Sequence, residues 1–147
     1  MKPHPIIKEL ELEPPKSEIH SFKYEHEKAC ADVFVTLALT GKLYGWELHK
    51  KIAKGIIPDR TALMDTPVYI EVEMGSQDKI RQKADNYKRY FYDTKEPFSV
   101  WFLVKTQKQY DNGLEDLRGF SSHYSIELLD VFNKITHSDT LSDTSSD

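Results

Sequence analysis

The chain has 147 residues, 39% of them hydrophobic and 12% aromatic, which is enough to build one sizeable core in a single domain. Its single cysteine, Cys30, excludes an intramolecular disulfide, and its longest strongly apolar runs, such as Val100 to Val104, are too short for a membrane-spanning helix. A net charge of -4 excludes a surface that is basic all over, although the charge is unevenly spread.

Residues 1–20 read as an N-terminal arm, with Pro3, Pro5, Pro14 and Pro15 around an alternating Glu9 to Glu13 segment that suits a short edge strand. A helix follows over 23–40, with His26, Cys30, Val33, Phe34, Leu37 and Ala38 as its stripe and Gly41 as its stop. A strand is expected near 42–48, then two strands over 57–64 and 68–74 joined by the turn Asp65-Thr66-Pro67. The spacing of Ile80, Ala84, Tyr87 and Phe91 predicts a helix over 77–92, capped by Ser76 with Asp78 in its first turn. Phe98 to Val104 is the most apolar strand and is expected at the centre of the sheet. A helix over 107–117 places Tyr110, Leu114 and Leu117 in register, weakened by Asn112-Gly113. A last strand over 125–129 and a short helix to about 135 complete a domain spanning 21–136, and the Ser/Thr/Asp-rich residues 137–147 form an acidic tail expected to be disordered. This order predicts an α/β fold with a single mixed β-sheet flanked by helices.

The chemistry concentrates in the acidic hairpin. Side chains along a strand alternate between faces, so Val68, Ile70, Val72 and Met74 share one face while Tyr69, Glu71 and Glu73 share the other. The two glutamates then lie about 7 Å apart. If the two strands pair around the turn, Asp59 falls opposite Glu73 and Thr61 opposite Glu71. Three carboxylates so gathered repel one another unless their pKa values rise or a hard cation such as Mg²⁺ or Mn²⁺ neutralises them. A solvated outer face of an edge hairpin accounts for the same pattern, so both readings stand at this point.

Four residues apart on the next helix, Lys83 and Tyr87 share one face, and the helix enters directly after the acidic strand. A phosphate held there meets a cation and a phenol donor. The competing reading is a lysine stem lying along the core beside a packed tyrosine.

Pro58-Asp59, Glu71-x-Glu73-x-Gly75 on a strand and Lys83-x-x-x-Tyr87 on a helix, in that order, resemble the replication-relaxation family of plasmids and other mobile elements. That family is similar in turn to the PD-(D/E)XK restriction-endonuclease-like nucleases, and the likeness runs from about His26 to Leu129, with His26-Glu27 and Trp46-Glu47 included. The resemblance implies a restriction-endonuclease-like αβββαβ core, with Asp59 and Glu71 as metal ligands and an acid of the first helix, Glu27, as a third. It also implies a lysine at position 73, where this chain has Glu73. Some relatives carry glutamate there, and in others the lysine has moved to the neighbouring helix, where Lys83 stands. The implied activity is Mg²⁺- or Mn²⁺-dependent cleavage of DNA, with Glu73 or Lys83 handling the water and Tyr87 orienting Lys83 or a phosphate.

The charge distribution is compatible with DNA. Residues 41–110 hold 13 Lys/Arg against 9 Asp/Glu, while the remainder hold 7 against 15. Lys50, Lys51, Lys54 and Arg60 before the hairpin, with Lys79, Arg81, Lys88 and Arg89 on the later helix, form a candidate basic rim for the nucleic-acid backbone, while pairs such as Asp85 with Arg89 fit ordinary solvated helix faces. Three functions fit: a metal-dependent DNA phosphodiesterase, a non-catalytic DNA-binding accessory on the same scaffold, and an inhibitor-like module presenting acidic ends to a protein. The resemblance implies a companion winged-helix DNA-reading domain for which this length leaves no room upstream, so either a protein partner supplying DNA targeting or a stripped-down core is expected. With no apolar segment after Met1-Lys2, a cytoplasmic location is expected and no membrane partner.

Overall fold

The computed structural model describes residues 18–75, 79–94 and 96–134. Most of the N-terminal arm, the cap at Ser76 with Asp78, and the acidic tail lie outside the described residues. In chain order the elements are α1 (Glu18–Leu39), β1 (Gly45–Leu48), β2 (Arg60–Leu63), β3 (Pro67–Glu73), α2 (Ile80–Thr94), β4 (Ser99–Val104), α3 (Gln107–Asp116) and β5 (Tyr124–Leu128), and the chain is helical again over 129–134. Among the described residues no helix is long and apolar enough to cross a membrane.

The strands form one mixed sheet in the order β1-β2-β3-β4-β5, antiparallel from β1 to β3 and parallel from β3 to β5. The parallel pairs require crossovers, which α2 and α3 supply. On one face of the sheet Cys30, Val33, Phe34 and Leu37 of α1 pack on Trp46, Ala62, Val68, Ile70, Val72 and Leu103. On the other, Ile80, Ala84, Tyr87 and Phe91 of α2 pack on Val100, Phe102, Val104, Tyr124 and Ile126. With both faces covered, β4 reads as a continuous apolar run, as parallel strands do. It lies between β3 and β5, and the middle strand is β3, not β4.

Local chemistry sets several boundaries. Gly41, at φ 74°, ends α1, and its N–H reaches the Ala38 carbonyl. Ala38 itself is exposed, at the end of the stripe rather than within it. The turn of the β2–β3 hairpin is 64–66, because Pro67 already pairs with Leu63. Proline is tolerated as the first residue of a strand, where its missing N–H leaves no gap in the ladder. That choice moves the register by two residues from the expected one, so Thr61 pairs with Tyr69 and not with Glu71. Thr106 caps α3 through a capping box with Gln109, a Thr-x-x-Gln pattern present in the chain. Gly113 is buried in α3, where a Cβ would run into Ile126 Cδ1, so glycine lets the helix approach the sheet closely. Leu114 is exposed, unlike the expected stripe.

Candidate functional site

Since β3 is the middle strand, the face bearing Tyr69, Glu71 and Glu73 is covered by α2 and is not an outer surface. Glu71 is only 4% exposed. The Asp59 carboxylate comes to the same strand, where its Oδ2 accepts the Val72 N–H at 2.8 Å. From α2 the Lys83 ammonium reaches Glu73 Oε1 at 2.5 Å and lies 3.8 Å from Glu71 Oε2. The helix thus brings a lysine to both strand glutamates. Strand, Pro-Asp segment and helix meet in one patch.

The electrostatics follow from burial and surplus negative charge. Burial raises the Glu71 pKa to about 8, with Asp59 and Glu73 adding to the rise and Lys83 opposing it. For Lys83, burial works against the charge, but Glu71 and Glu73 outweigh it and hold the ammonium pKa above its ordinary value. Burial likewise works to raise Asp59, yet His26, the Val72 N–H and Lys83 keep its carboxyl below the usual range. Tyr87 is 2% exposed and stacks with Tyr69 at 5.8 Å between ring centroids. Its hydroxyl has no hydrogen-bond partner among the described residues, so no bond to Lys83 is formed, and burial followed by the nearby carboxylates pushes its pKa upward.

On the α1 side of the sheet lies a second cluster. Glu27 Oε2 accepts from Arg60 Nη2 at 2.5 Å, and Glu27 Oε1 lies 3.6 Å from His26 Nδ1 and 3.8 Å from His49 Nε2. His26 joins the two clusters, with its Nε2 3.4 Å from Asp59 Oδ2. The Asp59 carboxylate raises the imidazole pKa against the opposing effect of burial. Glu27 therefore faces Arg60 and the histidines instead of completing a set with Glu71. Its pKa is lowered, because the Arg60 guanidinium overcomes the upward effect of burial.

Of the expected basic rim, Lys51, Lys54, Lys79 and Arg81 are exposed, Lys50 pairs with Glu47 at 3.0 Å, and Lys88 lies over the Phe120 ring. Arg60 does not belong to it: its side chain is 1% exposed and engaged with Glu27. The strand pattern carried that signal, since adjacent residues project to opposite faces and Arg60 must point away from the face of Thr61. His26 was marked only as part of the α1 stripe and of the His26-Glu27 pair, and His49 had no signal at all. They join the site only because α1 and the segment after β1 meet there.

Divalent-cation chemistry fits this patch to a defined extent. Asp59 and Glu71 supply carboxylate oxygens, the donors that hard cations prefer, and Mg²⁺ commonly uses one or two carboxylates with water and substrate oxygens for the rest. Burial, and after it the Asp59 and Glu73 carboxylates, raises the Glu71 pKa, and a cation bound here would favour its ionised form. Among the described residues no group of three His, Cys, Asp or Glu side chains gathers at metal-holding distance.

No family model matches the chain, and no curated protein does. Among solved structures it is similar to the small subunit of the heterodimeric restriction endonuclease R.BspD6I, with a TM-score of 0.51 and 14% identity over 78% of this chain and 69% of that one. The mixed sheet with flanking helices is therefore a restriction-endonuclease-like fold.

Proposed function

We propose that this chain is a DNA-associated protein whose Asp59, Glu71, Glu73 and Lys83 form a divalent-metal-dependent phosphodiesterase centre. The observation that carries the reading is Lys83 Nζ placed between Glu73 and Glu71 beside Asp59. Asp59 and Glu71 would hold Mg²⁺ or Mn²⁺, which supplies Lewis-acid stabilisation of charge on phosphate oxygens. Lys83, kept protonated by its carboxylate neighbours, offers positive charge to the phosphorane oxygens and orients Glu73. Glu73 takes the proton as a water oxygen bonds to phosphorus, and the bond to the leaving sugar oxygen breaks on the opposite side, with solvent protonating that oxygen. Tyr87 acts here as packing for the Lys83 face of α2, stacked on Tyr69.

The test is a calorimetric titration of Mn²⁺ into wild type, Asp59→Ala/Glu71→Ala and Lys83→Ala, with plasmid nicking on the same samples. The expected result is Mn²⁺ binding and nicking by wild type, neither by the double variant, and binding without nicking by Lys83→Ala. Silence from wild type in both assays overturns the reading.

A second reading, a non-catalytic DNA-binding or protein-binding module, is favoured by one observation: Glu27 is committed to Arg60 and unavailable as a third acid. A role in plasmid or mobile-element replication or relaxation rests on the order of the sequence motifs. The heterodimeric nature of the similar endonuclease supports a protein partner that supplies DNA targeting.

A further inference from the structure

Between β1 and β2 the chain makes a turn at Ala53 to Ile56. Its core is built to stay in place: the Ile52 N–H reaches the Ile56 carbonyl at 3.1 Å and the Ile56 N–H reaches the Ala53 carbonyl at 3.0 Å. Gly55 takes φ 77°, a conformation that side chains other than glycine rarely adopt. Ile56 is buried in the α2-side core, with Ile52 and Ala53 packed against it. The apolar residues anchor the turn, and Lys54 is left exposed at its tip.

This turn and α2 enclose a groove of about 380 Å³ lined by Lys54, Gly55, Asn86, Arg89 and Tyr90 among others. Neither Lys54 nor Arg89 has a carboxylate within ion-pair distance among the described residues. Helix spacing allows Asp85 to pair with Arg89, but that pair is not formed. Two cations with no ion-pair partner among the described residues, a side-chain amide and a phenol therefore share one concave surface in a chain of net charge -4. Asn86 and Arg89 follow Lys83 on the same helix, so the groove begins about 5 Å and ends about 10 Å along the axis from the catalytic lysine.

We infer that this groove, carried by Lys54 and Arg89, is a phosphate subsite that holds the DNA strand next to the phosphodiester presented to Lys83. The inference deepens the proposed function and rests on it for the identity of the strand. Each of the two cations can meet one backbone phosphate. Asn86 and Tyr90 line the same groove and can supply donors to the same oxygens.

The test measures binding of a fluorescein-labelled 20-base-pair duplex in EDTA as a function of salt, so that the metal centre plays no part. The proteins are wild type, Lys54→Ala/Arg89→Ala, and Lys42→Ala/Lys108→Ala as a control pair of exposed lysines outside the groove. Loss of two phosphate contacts lowers the slope of log K against log salt by about 1.8. That drop, with affinity reduced about tenfold or more at low salt and a smaller change in the control, is the expected result. An unchanged slope, an equal drop in the control, or competition by polyglutamate as strong as by unlabelled duplex overturns the inference. If only the inference is wrong, wild type still nicks plasmid with Mn²⁺. Absence of both duplex binding and nicking overturns the proposed function as well.

Discussion

Replacing Glu71 by glutamine keeps the shape and removes the charge, and its effect follows from where Glu71 sits. In the folded chain burial holds its proton up to about pH 8, against 4.5 for the ordinary group. Between those values the folded state binds more protons than the unfolded state, so stability falls as pH rises through that window. Integrated for one carboxyl, the loss between pH 5 and pH 8 is about 3.5 kcal/mol. Urea unfolding of wild type and Glu71→Gln at pH 5, 6, 7 and 8 separates this contribution from His26 and the other groups common to both proteins. The variant is expected to overtake wild type as pH rises, with the gap between the two changing by about 2–4 kcal/mol across the range. Mn²⁺ at 100-fold above its Kd recovers about 2.7 kcal/mol in wild type and far less in the variant. Parallel pH curves for the two proteins would refute the argument, because they would mean that Glu71 ionises in the fold as it does in water.

Two further expectations concern the scaffold. Arg60→Met leaves the half-buried Glu27 without its guanidinium, and urea unfolding at pH 7 should show a loss of about 3 kcal/mol, reduced when Glu27→Gln is added. An additive double variant would show that the pair is not the cause. Gly113→Ala places a methyl against Ile126 and Ile80, so overpacking of about 1–3 kcal/mol outweighs the helix-propensity gain of about 1 kcal/mol. The net effect is a lowered Tm that Ile126→Val, by removing the clashing Cδ1, partly restores; a Tm raised by Gly113→Ala alone would contradict the close approach.

Local pattern carried much of the candidate site. Asp59, Glu71, Glu73 and Lys83 were legible because strand alternation and helix spacing are short-range rules, and the patch they form uses three elements adjacent in the chain. The register of the hairpin was not legible, since it turned on whether Pro67 closes the turn or opens the strand, and pairing decided for the strand. Arg60 was misplaced for a different reason: counting basic residues along the chain ignores the face to which each is turned. The partners of Glu27 were beyond reach, because 33 residues separate it from Arg60 and only the packing of α1 on the sheet brings them together.

By itself, then, the sequence determined the element order, the stripes of α1 and α2, and the acidic strand with a lysine-bearing helix behind it. These follow from the period of a helix and of a strand, which neighbouring residues set. Tertiary structure alone decided that β3 lies in the middle of the sheet with α2 over its acidic face. Burial is what turns Glu71 from an ordinary surface carboxylate into one that keeps its proton to about pH 8, and burial belongs to no single segment. The same packing drew Glu27 to Arg60, because charge pairing depends on distance in space and not on distance along the chain, and it placed Lys54 and Arg89 along one groove.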